Sequence, residues 1–320
     1  MKAIVQDTYG PPDVLQLREI DRPMPGDDDV LVRVRAASVN PQDWHIMRAA
    51  PFIVRTSGFG LRTPKKPIRG TDVAGQVEAT GSNVTRFRPG DEVFGWCEGS
   101  FAEYVSVDES HLVSKPADLS FEAAGAISMA GCTAIQGLRD AGAVQPGQEV
   151  LIIGAAGGVG TFAVQIAKAL GARVTGVCST TKMDLVRSIG AEDVIDYTQQ
   201  DFTRSGKRYD VIFQLAGTAS PSACRRALTP RGTLVLSSGE GRFAGIDRIL
   251  RAMASAPFVR QRMRLLRTKE TNEDLLALVQ LMEAGTLTPV IDKTYPLSQV
   301  PDAVRYIEAG QARGKVVITV

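Results

Sequence analysis

Val150-Leu151-Ile152-Ile153-Gly154-Ala155-Ala156-Gly157-Gly158-Val159-Gly160 is the stretch that decides the fold. A short apolar run enters a glycine-rich turn, and a helical pattern follows from Val159 to Leu170. Strand, tight turn and helix in that order open a βαβ unit. Glycines in such a turn let the backbone approach a pyrophosphate, and the free N–H groups of the helix start point at it. Ala155 stands in place of the first glycine of G-x-G-x-x-G, so the strict pattern is not met. The flanking strand and helix carry the reading instead.

Downstream the alternation continues. Arg173 to Cys178 reads as a strand, Lys182 to Ile189 as a helix, and Val194-Ile195 and Val211 to Gln214 as strands. Pro221 to Leu228 then reads as a helix and Thr233 to Ser237 as a strand. Strands alternating with helices imply a parallel sheet. Just upstream, Phe121 to Ala143 reads as one helix with Ser120 as N-cap. Further back lie short strands, Ala3 to Val5, Val30 to Ala36, Ala74 to Ala79, Glu92 to Gly95 and Tyr104 to Val107. Pro11-Pro12, Pro23 to Asp29, Gly81-Ser82-Asn83 and Pro89-Gly90-Asp91 punctuate them, which suits a barrel-like module. Asn40 to Ala50 is a helical or loop insertion in that module. After the parallel sheet come two helical segments, Ile246 to Leu266 and Glu273 to Ala284, and then a tail of short β character ending in Lys315 to Val320. The expected fold class is α/β, with a discontinuous first domain closed by the tail.

Composition narrows the function classes. The chain has 320 residues, enough for two domains, and 44% hydrophobic with 22% charged residues suits a folded globular protein. Lys+Arg 37 against Asp+Glu 35 leaves a net charge of +2, too small a field for nucleic-acid binding. Cys97, Cys132, Cys178 and Cys224 form no CxxC pair, which fits a reducing compartment and neither a disulfide scaffold nor a zinc ribbon. The N-terminus lacks the apolar run of a signal peptide, and no long apolar stretch reads as a transmembrane helix. The expected location is cytoplasmic.

About 20 residues beyond the loop, NAD-specific sites place an acidic residue on the ribose 2′-hydroxyl. Here Cys178-Ser179-Thr180-Thr181-Lys182 occupies that place. Hydroxyls and an ammonium bind a 2′-phosphate that a carboxylate would repel, so NADP(H) is favoured over NAD(H). Ser179 and Thr180 are also ordinary helix-capping residues, and the two roles can coexist.

The whole chain resembles the medium-chain dehydrogenase/reductase superfamily, and within it the zinc-free quinone oxidoreductase-like branch. The resemblance rests on Ser38-Val39-Asn40-Pro41-Gln42-Asp43-Trp44, Arg69-Gly70-Thr71-Asp72-Val73-Ala74-Gly75 and Pro89-Gly90-Asp91-Glu92-Val93. Ala130-Gly131-Cys132-Thr133-Ala134, the Ala155 to Gly160 loop, Leu236-Ser237-Ser238-Gly239 and Gly314-Lys315-Val316-Val317 follow in order. It implies a discontinuous GroES-like β-barrel domain, residues 1–122 and 270–320, around a Rossmann doubly wound parallel-sheet domain, residues 123–269. It also implies a homodimer, joined through the Rossmann edge strand near Leu234 to Ser237.

Zinc-containing relatives carry Cys where this chain has Asn40, His where it has Thr71, and a third ligand near Met129. Asn, Thr and Met do not replace that donor set, so no metal is expected. Without a Lewis acid, alcohol oxidation is difficult, whereas a quinone or an α,β-unsaturated carbonyl accepts hydride at carbon. The expected function is therefore zinc-independent, NADPH-dependent hydride transfer to such an acceptor. An enoyl-thioester reductase is the enzymatic alternative, and an NADPH-binding sensor or interaction protein the non-enzymatic one.

Candidate catalytic residues are Asn40 as a carbonyl donor and, as the resemblance implies, Asp43 near the site floor and His45 as the end of a proton relay. A turn residue before Pro41 and a helix N-terminal carboxylate are the competing roles of Asn40 and Asp43. For the cofactor, the resemblance and the loop together point to Thr133, Ala156, Gly157, Gly158, Val159, Ser179, Thr180 and Lys182. Tyr197, Ala216, Ser237, Ser238, Gly239 and Lys315 complete the set, with a plain surface role open for Tyr197 and Lys315. Phe52, Ile53, Phe59 and Leu61 in the Phe52 to Pro67 loop suit either an apolar or aromatic carbonyl substrate or a core contact. Arg248, Arg251, Arg260, Arg262, Arg264, Arg267 and Lys269 form a basic segment, read as a solvated face in preference to a lid or a membrane contact.

Overall fold

The computed structural model describes residues 1–50, 55, 58, 60–237 and 260–320. Among these the chain separates into two compact units. The first comprises Met1–Ala130, Glu270–Val279 and Pro289–Val320; the second comprises Gly131–Lys269 and Gln280–Thr288.

The strands in chain order begin with β1 (Lys2–Gln6), β2 (Leu15–Glu19), β3 (Asp29–Val39) and β4 (Asp72–Thr80). β5 (Glu92–Trp96), β6 (Tyr104–Asp108) and β7 (Leu112–Ser114) follow. The middle of the chain gives β8 (Glu149–Ile153), β9 (Arg173–Cys178), β10 (Asp193–Asp196), β11 (Tyr209–Gln214), β12 (Leu228–Leu236) and β13 (Arg262–Leu265). β14 (Ile291–Pro296) and β15 (Lys315–Thr319) close it.

In the first unit, β14-β15-β3-β4-β5-β7 form a mixed sheet, with β6 paired to β3 and a separate β1-β2 ribbon. β3 is long because it serves two partners on one side: Ala36 to Val39 pair with β15, while Asp29 to Arg33 pair with β6. Its alternating apolar residues Val30, Val32 and Val34 pack with Val73, Val77, Val93, Val105 and Val107 in one core. A second core gathers Ile4, Val39, Met47, Phe101, Val304 and Ile318, so the first and last strands share one interior. Helix α1 (Pro41–Arg48) leaves the end of β3, with Asn40 at its N-cap and Pro41 in its first turn, where a missing N–H costs nothing.

The stretch read as one helix from Phe121 to Ala143 is broken. It forms α2 (Phe121–Ala124), capped as expected by the Ser120 side chain, then α3 (Ser128–Ile135) and a wide turn from Gln136 to Ala141. A Cβ at Gly137 would meet the Phe213 ring at 2.3 Å, so the chain widens where it passes that ring.

The second unit is a six-stranded parallel sheet of order β10-β9-β8-β11-β12-β13 among the described residues. Strand order reverses between β8 and β11, and ligands in such sheets bind outside the carboxyl ends at that point. β8 is buried from Val150 to Ile153 because it is paired on both edges and covered on its faces. α4 (Gly158–Ala169), α5 (Met183–Ser188) and α6 (Pro221–Ala227) connect the strands. α7 (Asn272–Glu283) and α8 (Val300–Glu308) come later in the chain.

Three expectations are corrected here. Residues 246–259 of the expected helix Ile246 to Leu266 lie outside the described residues, and Arg262–Leu265 is a strand paired with β12. β12 is therefore paired on both sides, and among the described residues the edge strand is β13 rather than Leu234 to Ser237. The tail is not wholly β, because Val300, Ala303 and Val304 bury one stripe of α8. Among the described residues no helix is long and apolar enough to cross a membrane.

Candidate active site

The glycine-rich turn is built as the sequence suggests, with one shift. Gly154, one residue before Ala155, takes the positive φ of +89° that closes the turn, and a Cβ there would meet Ala216 at 2.8 Å. The Gly154 and Ala155 N–H groups donate to Val177 O at 3.0 and 3.1 Å, and Leu215 N–H donates to Ile153 O at 3.0 Å. The turn is thereby tied to both neighbouring strands. Gly160 packs so tightly on it that a Cβ would lie 2.1 Å from Gly154 O. The first helical bond runs from Thr161 N–H to Gly157 O at 3.0 Å. The N–H groups of Gly158, Val159 and Gly160 therefore precede the α-helical ladder, as an anion cradle requires. A Cβ at Gly157 would touch only Gly154 O, at 3.4 Å, so this glycine keeps space open beside the helix start.

The end of β9 is held differently from the expectation. Ser179 precedes a short turn, Thr180–Lys182, and makes no side-chain cap. Thr180 donates its hydroxyl proton to the Asp196 carboxylate, so that proton is committed and Thr180 fixes the loop instead of offering a donor. The Thr180 hydroxyl, with the Thr198 N–H and hydroxyl, holds Asp196 below the usual carboxylate range. Asp196 went unassigned in the sequence; a carboxylate closing a strand beside Ser179-Thr180 is the signal that could have found it. Lys182 is half-buried, Tyr197 exposed with its N–H on Cys178 O at 3.1 Å, and Ser237 N–H donates to Gln214 O at 3.1 Å. Ser238 and Gly239 lie outside the described residues, as do Phe52, Ile53, Phe59, Arg248 and Arg251. Thr133 and Thr268 share a hydroxyl hydrogen bond of 3.1 Å, and Gln136 pairs with both backbone groups of Lys269. Arg260, Arg262, Arg264, Arg267 and Lys269 are exposed.

The first unit contains a buried polar centre. Asp72 is 0% exposed, Lys315 2%, Asn40 and Asp43 3% each, and Arg69 7%. Asp72 is the hub. Its Oδ1 accepts the Met129 N–H at 2.7 Å; its Oδ2 accepts from the Ser38 hydroxyl, Asn40 Nδ2 at 2.9 Å and Lys315 Nζ at 3.3 Å. Lys315 Nζ also donates to Asn40 Oδ1 at 2.7 Å. Strand pairing explains the meeting, since Val316 lies opposite Val39 and Ser38 opposite Asp72.

Two expectations change. Lys315 does not reach out to cofactor phosphates, because its ammonium is buried between a carboxylate and an amide. Asn40 is not a free carbonyl donor, because Nδ2 serves Asp72, Thr71 Oγ1 at 3.3 Å and Ser38 O at 3.4 Å, while Oδ1 accepts from Lys315. Asp43 is reciprocally bound to the helix start, accepting the Asn40 N–H at 2.7 Å. Burial, the chief cause, with the Asp72 charge pushes Asp43 up to about 7 against the pull of the Asn40 N–H and then of Lys315 and Arg69. His45 stacks on Trp44 at 3.7 Å, and its Nδ1 lies 3.0 Å from Ala50 O. A carbonyl only accepts, so Nδ1 carries the hydrogen; burial also lowers the ring's proton affinity, leaving a neutral imidazole with a bare Nε2. The four cysteines are buried and form no disulfide with one another, and burial raises the Cys97 and Cys178 thiols above their usual range.

Residues 26–117 match the alcohol dehydrogenase GroES-like domain and residues 189–318 the zinc-binding dehydrogenase domain. The chain is 33% identical to the tomato (Solanum lycopersicum) 2-methylene-furan-3-one reductase, over 99% of this chain and 79% of that protein. It is also 33% identical to an Arabidopsis thaliana chloroplastic NADPH-dependent alkenal/one oxidoreductase, over 99% of this chain and 79% of that one. The solved quinone oxidoreductase of Coxiella burnetii superposes with a TM-score of 0.88 at 30% identity, covering 100% of this chain and 99% of that chain. This chain belongs to the medium-chain dehydrogenase/reductase superfamily, in its quinone oxidoreductase-like branch, a group of NAD(P)H-dependent oxidoreductases.

The zinc in the name of one matched domain does not fit this chain. Asn40, Thr71 and Met129 offer neither thiolate nor imidazole, and the Lys315 ammonium sits against Asn40, where it would repel a second cation. Among the described residues no group of three or more His, Cys, Asp or Glu side chains could hold a metal ion. A dinucleotide does fit the second unit, whose glycine turn and α4 start leave the close approach open.

Proposed function

We propose that this protein is a metal-independent, NADPH-dependent reductase of quinones or α,β-unsaturated carbonyls. The observation that carries the reading is the Lys315–Asn40–Asp72 network, which fills with a fixed ammonium the place where a Lewis acid would polarise an alcohol. An acceptor already electrophilic at carbon needs no such metal. The names of the relatives, a furanone reductase, an alkenal/one oxidoreductase and a quinone oxidoreductase, agree with that substrate class.

Gly157, Gly158 and Val159 would hold the pyrophosphate through backbone N–H groups, with Ala156, Ala216 and Ser237 just past the ends of neighbouring strands, and Thr133 would face the nicotinamide side. Ser179, Lys182 and Tyr197 would receive the 2′-phosphate side. When bound, the dinucleotide supplies a hydride. The chain's own residues orient the acceptor, exclude water and deliver the proton that completes the reduction.

The test follows NADPH absorbance against a benzoquinone, a conjugated ketone and a crotonyl thioester, each repeated with NADH and with a chelator. Turnover of the quinone or ketone that favours NADPH and survives chelation is expected. Turnover of the thioester alone would make the protein an enoyl-thioester reductase. NADPH binding with no turnover on any acceptor would make it a sensor.

A further inference from the structure

The buried centre of the first unit holds two carboxyl groups in unequal surroundings. Asp72 receives four hydrogen bonds, one of them from an ammonium, so its carboxylate is fully engaged. The Asp43 carboxyl receives one, from the Asn40 N–H onto Oδ2, and makes no other hydrogen bond among the described residues. Two carboxyl groups held so unequally take different roles: the one saturated with donors is a fixed hub, and the one left open is able to give up a proton.

The charges that act on Asp43 come from three neighbouring segments. Asp72 on β4 disfavours its ionisation, while Lys315 on β15 and Arg69 just before β4 favour it. Lys315 is already spent on Asn40 and Asp72. Arg69 is not: it donates one terminal N–H to the Lys66 carbonyl, but its buried Nε has no partner among the described residues. An open carboxyl oxygen and an open guanidinium N–H are thus left in the same buried centre. His45, on the helix that carries Asp43, is a poor competitor as acid because its one ring hydrogen is held by Ala50 O.

We propose that Asp43 supplies the product proton in the reductase reaction proposed above, with Arg69 as the positioning residue that receives the carboxylate left behind. The inference rests on that reading of the function. Hydride reaching the acceptor carbon forms a C–H bond and moves the π electron pair onto the acceptor oxygen. The Asp43 O–H bond then breaks, its electron pair stays on the carboxyl, and the proton bonds to the acceptor oxygen or α-carbon. Arg69 Nε–H donates to the new carboxylate, and water returns a proton to Asp43 before the next turnover.

The test begins on the cofactor-free protein labelled with carboxyl-¹³C aspartate. One aspartate resonance should titrate near neutral pH, vanish in Asp43→Asn, move upward in Arg69→Met, and return toward the wild-type position in Arg69→Lys. Asp43→Asn retains an acceptor for the Asn40 N–H, so helix α1 keeps its start. Its kcat should fall about a hundredfold or more, with the NADPH Kd unchanged. In Arg69→Met the fall of kcat with rising pH should shift to higher pH. Absence of a near-neutral aspartate, wild-type kcat in Asp43→Asn, or an unmoved resonance in Arg69→Met would overturn the proposal. Should the wild-type chain reduce no acceptor at all, the functional reading fails on its own, while the titration still decides whether Asp43 and Arg69 are paired.

Discussion

Lys315→Met isolates the buried ion pair, because methionine keeps much of the aliphatic stem and removes the ammonium. Two hydrogen bonds disappear, to Asn40 Oδ1 at 2.7 Å and to Asp72 Oδ2 at 3.3 Å. Asp72 becomes a buried charge without its countercharge, and Asn40 Oδ1 loses its donor. Removing one partner of a buried pair costs about 3–5 kcal/mol. The Ser38, Asn40 and Met129 donors remaining on Asp72 favour the lower end, about 3 kcal/mol. At about 2–4 °C per kcal/mol, Tm falls by roughly 6–12 °C. The only two tryptophans, Trp44 and Trp96, both lie in the first unit, so tryptophan fluorescence follows the melting of that unit alone. Lys315→Met combined with Asp72→Asn should lose less than the sum of the single losses, by about 1 kcal/mol or more, since the orphaned charge is gone. A Tm within about 1 °C of wild type, or strictly additive losses, would refute the view that the pair is held together by mutual compensation.

Further outcomes follow from the same geometry. Asp43 binds its proton more tightly folded, about 7, than at its ordinary value of 3.8. Its contribution to stability therefore falls as pH rises from about 4 to about 7 and is level above; Asp43→Asn should remove that slope in denaturant titrations. Gly157→Ala has room in the fold, so Tm should hold while NADPH affinity drops about tenfold or more, read by nucleotide fluorescence. Gly160→Ala instead puts a Cβ 2.1 Å from Gly154 O and should lower the melting temperature as well. Lys182→Ala should reduce the preference for NADPH over NADH in the ratio of kcat/KM values, with NADH affinity little changed.

What could be read from the sequence was local. The parallel sheet followed from apolar runs such as Val150 to Ile153, each ending in turn residues and followed by a helical period. The glycine turn followed from its own composition, and Gly154, just before the G-x-G-x-x-G window, supplies its positive φ. β13 was missed because Arg262-Met263-Arg264-Leu265 has the two-residue alternation of an edge strand, yet sits beside a longer run with apolar residues at helical spacing. α8 was missed for the opposite reason: its stripe at Val300, Ala303, Val304 and Ile307 was present but lay within a tail judged by its β-branched end. The polar centre was beyond sequence reasoning. Lys315 lies 275 positions from Asn40 and 243 from Asp72, and only the pairing of β15 with β3, and of β3 with β4, brings them together. Asn40 and Asp43 could be named from their motif, but not the fact that the amide of Asn40 is engaged at both ends.

The most direct test of the hydride-transfer claim uses NADPH deuterated at the transferable C4 position and a conjugated ketone, with the product's deuterium located by NMR. Deuterium on the β-carbon of the saturated product, with the α-hydrogen drawn from solvent, is the predicted result. A product without deuterium, or a ketone recovered unchanged while NADPH stays bound, would contradict it.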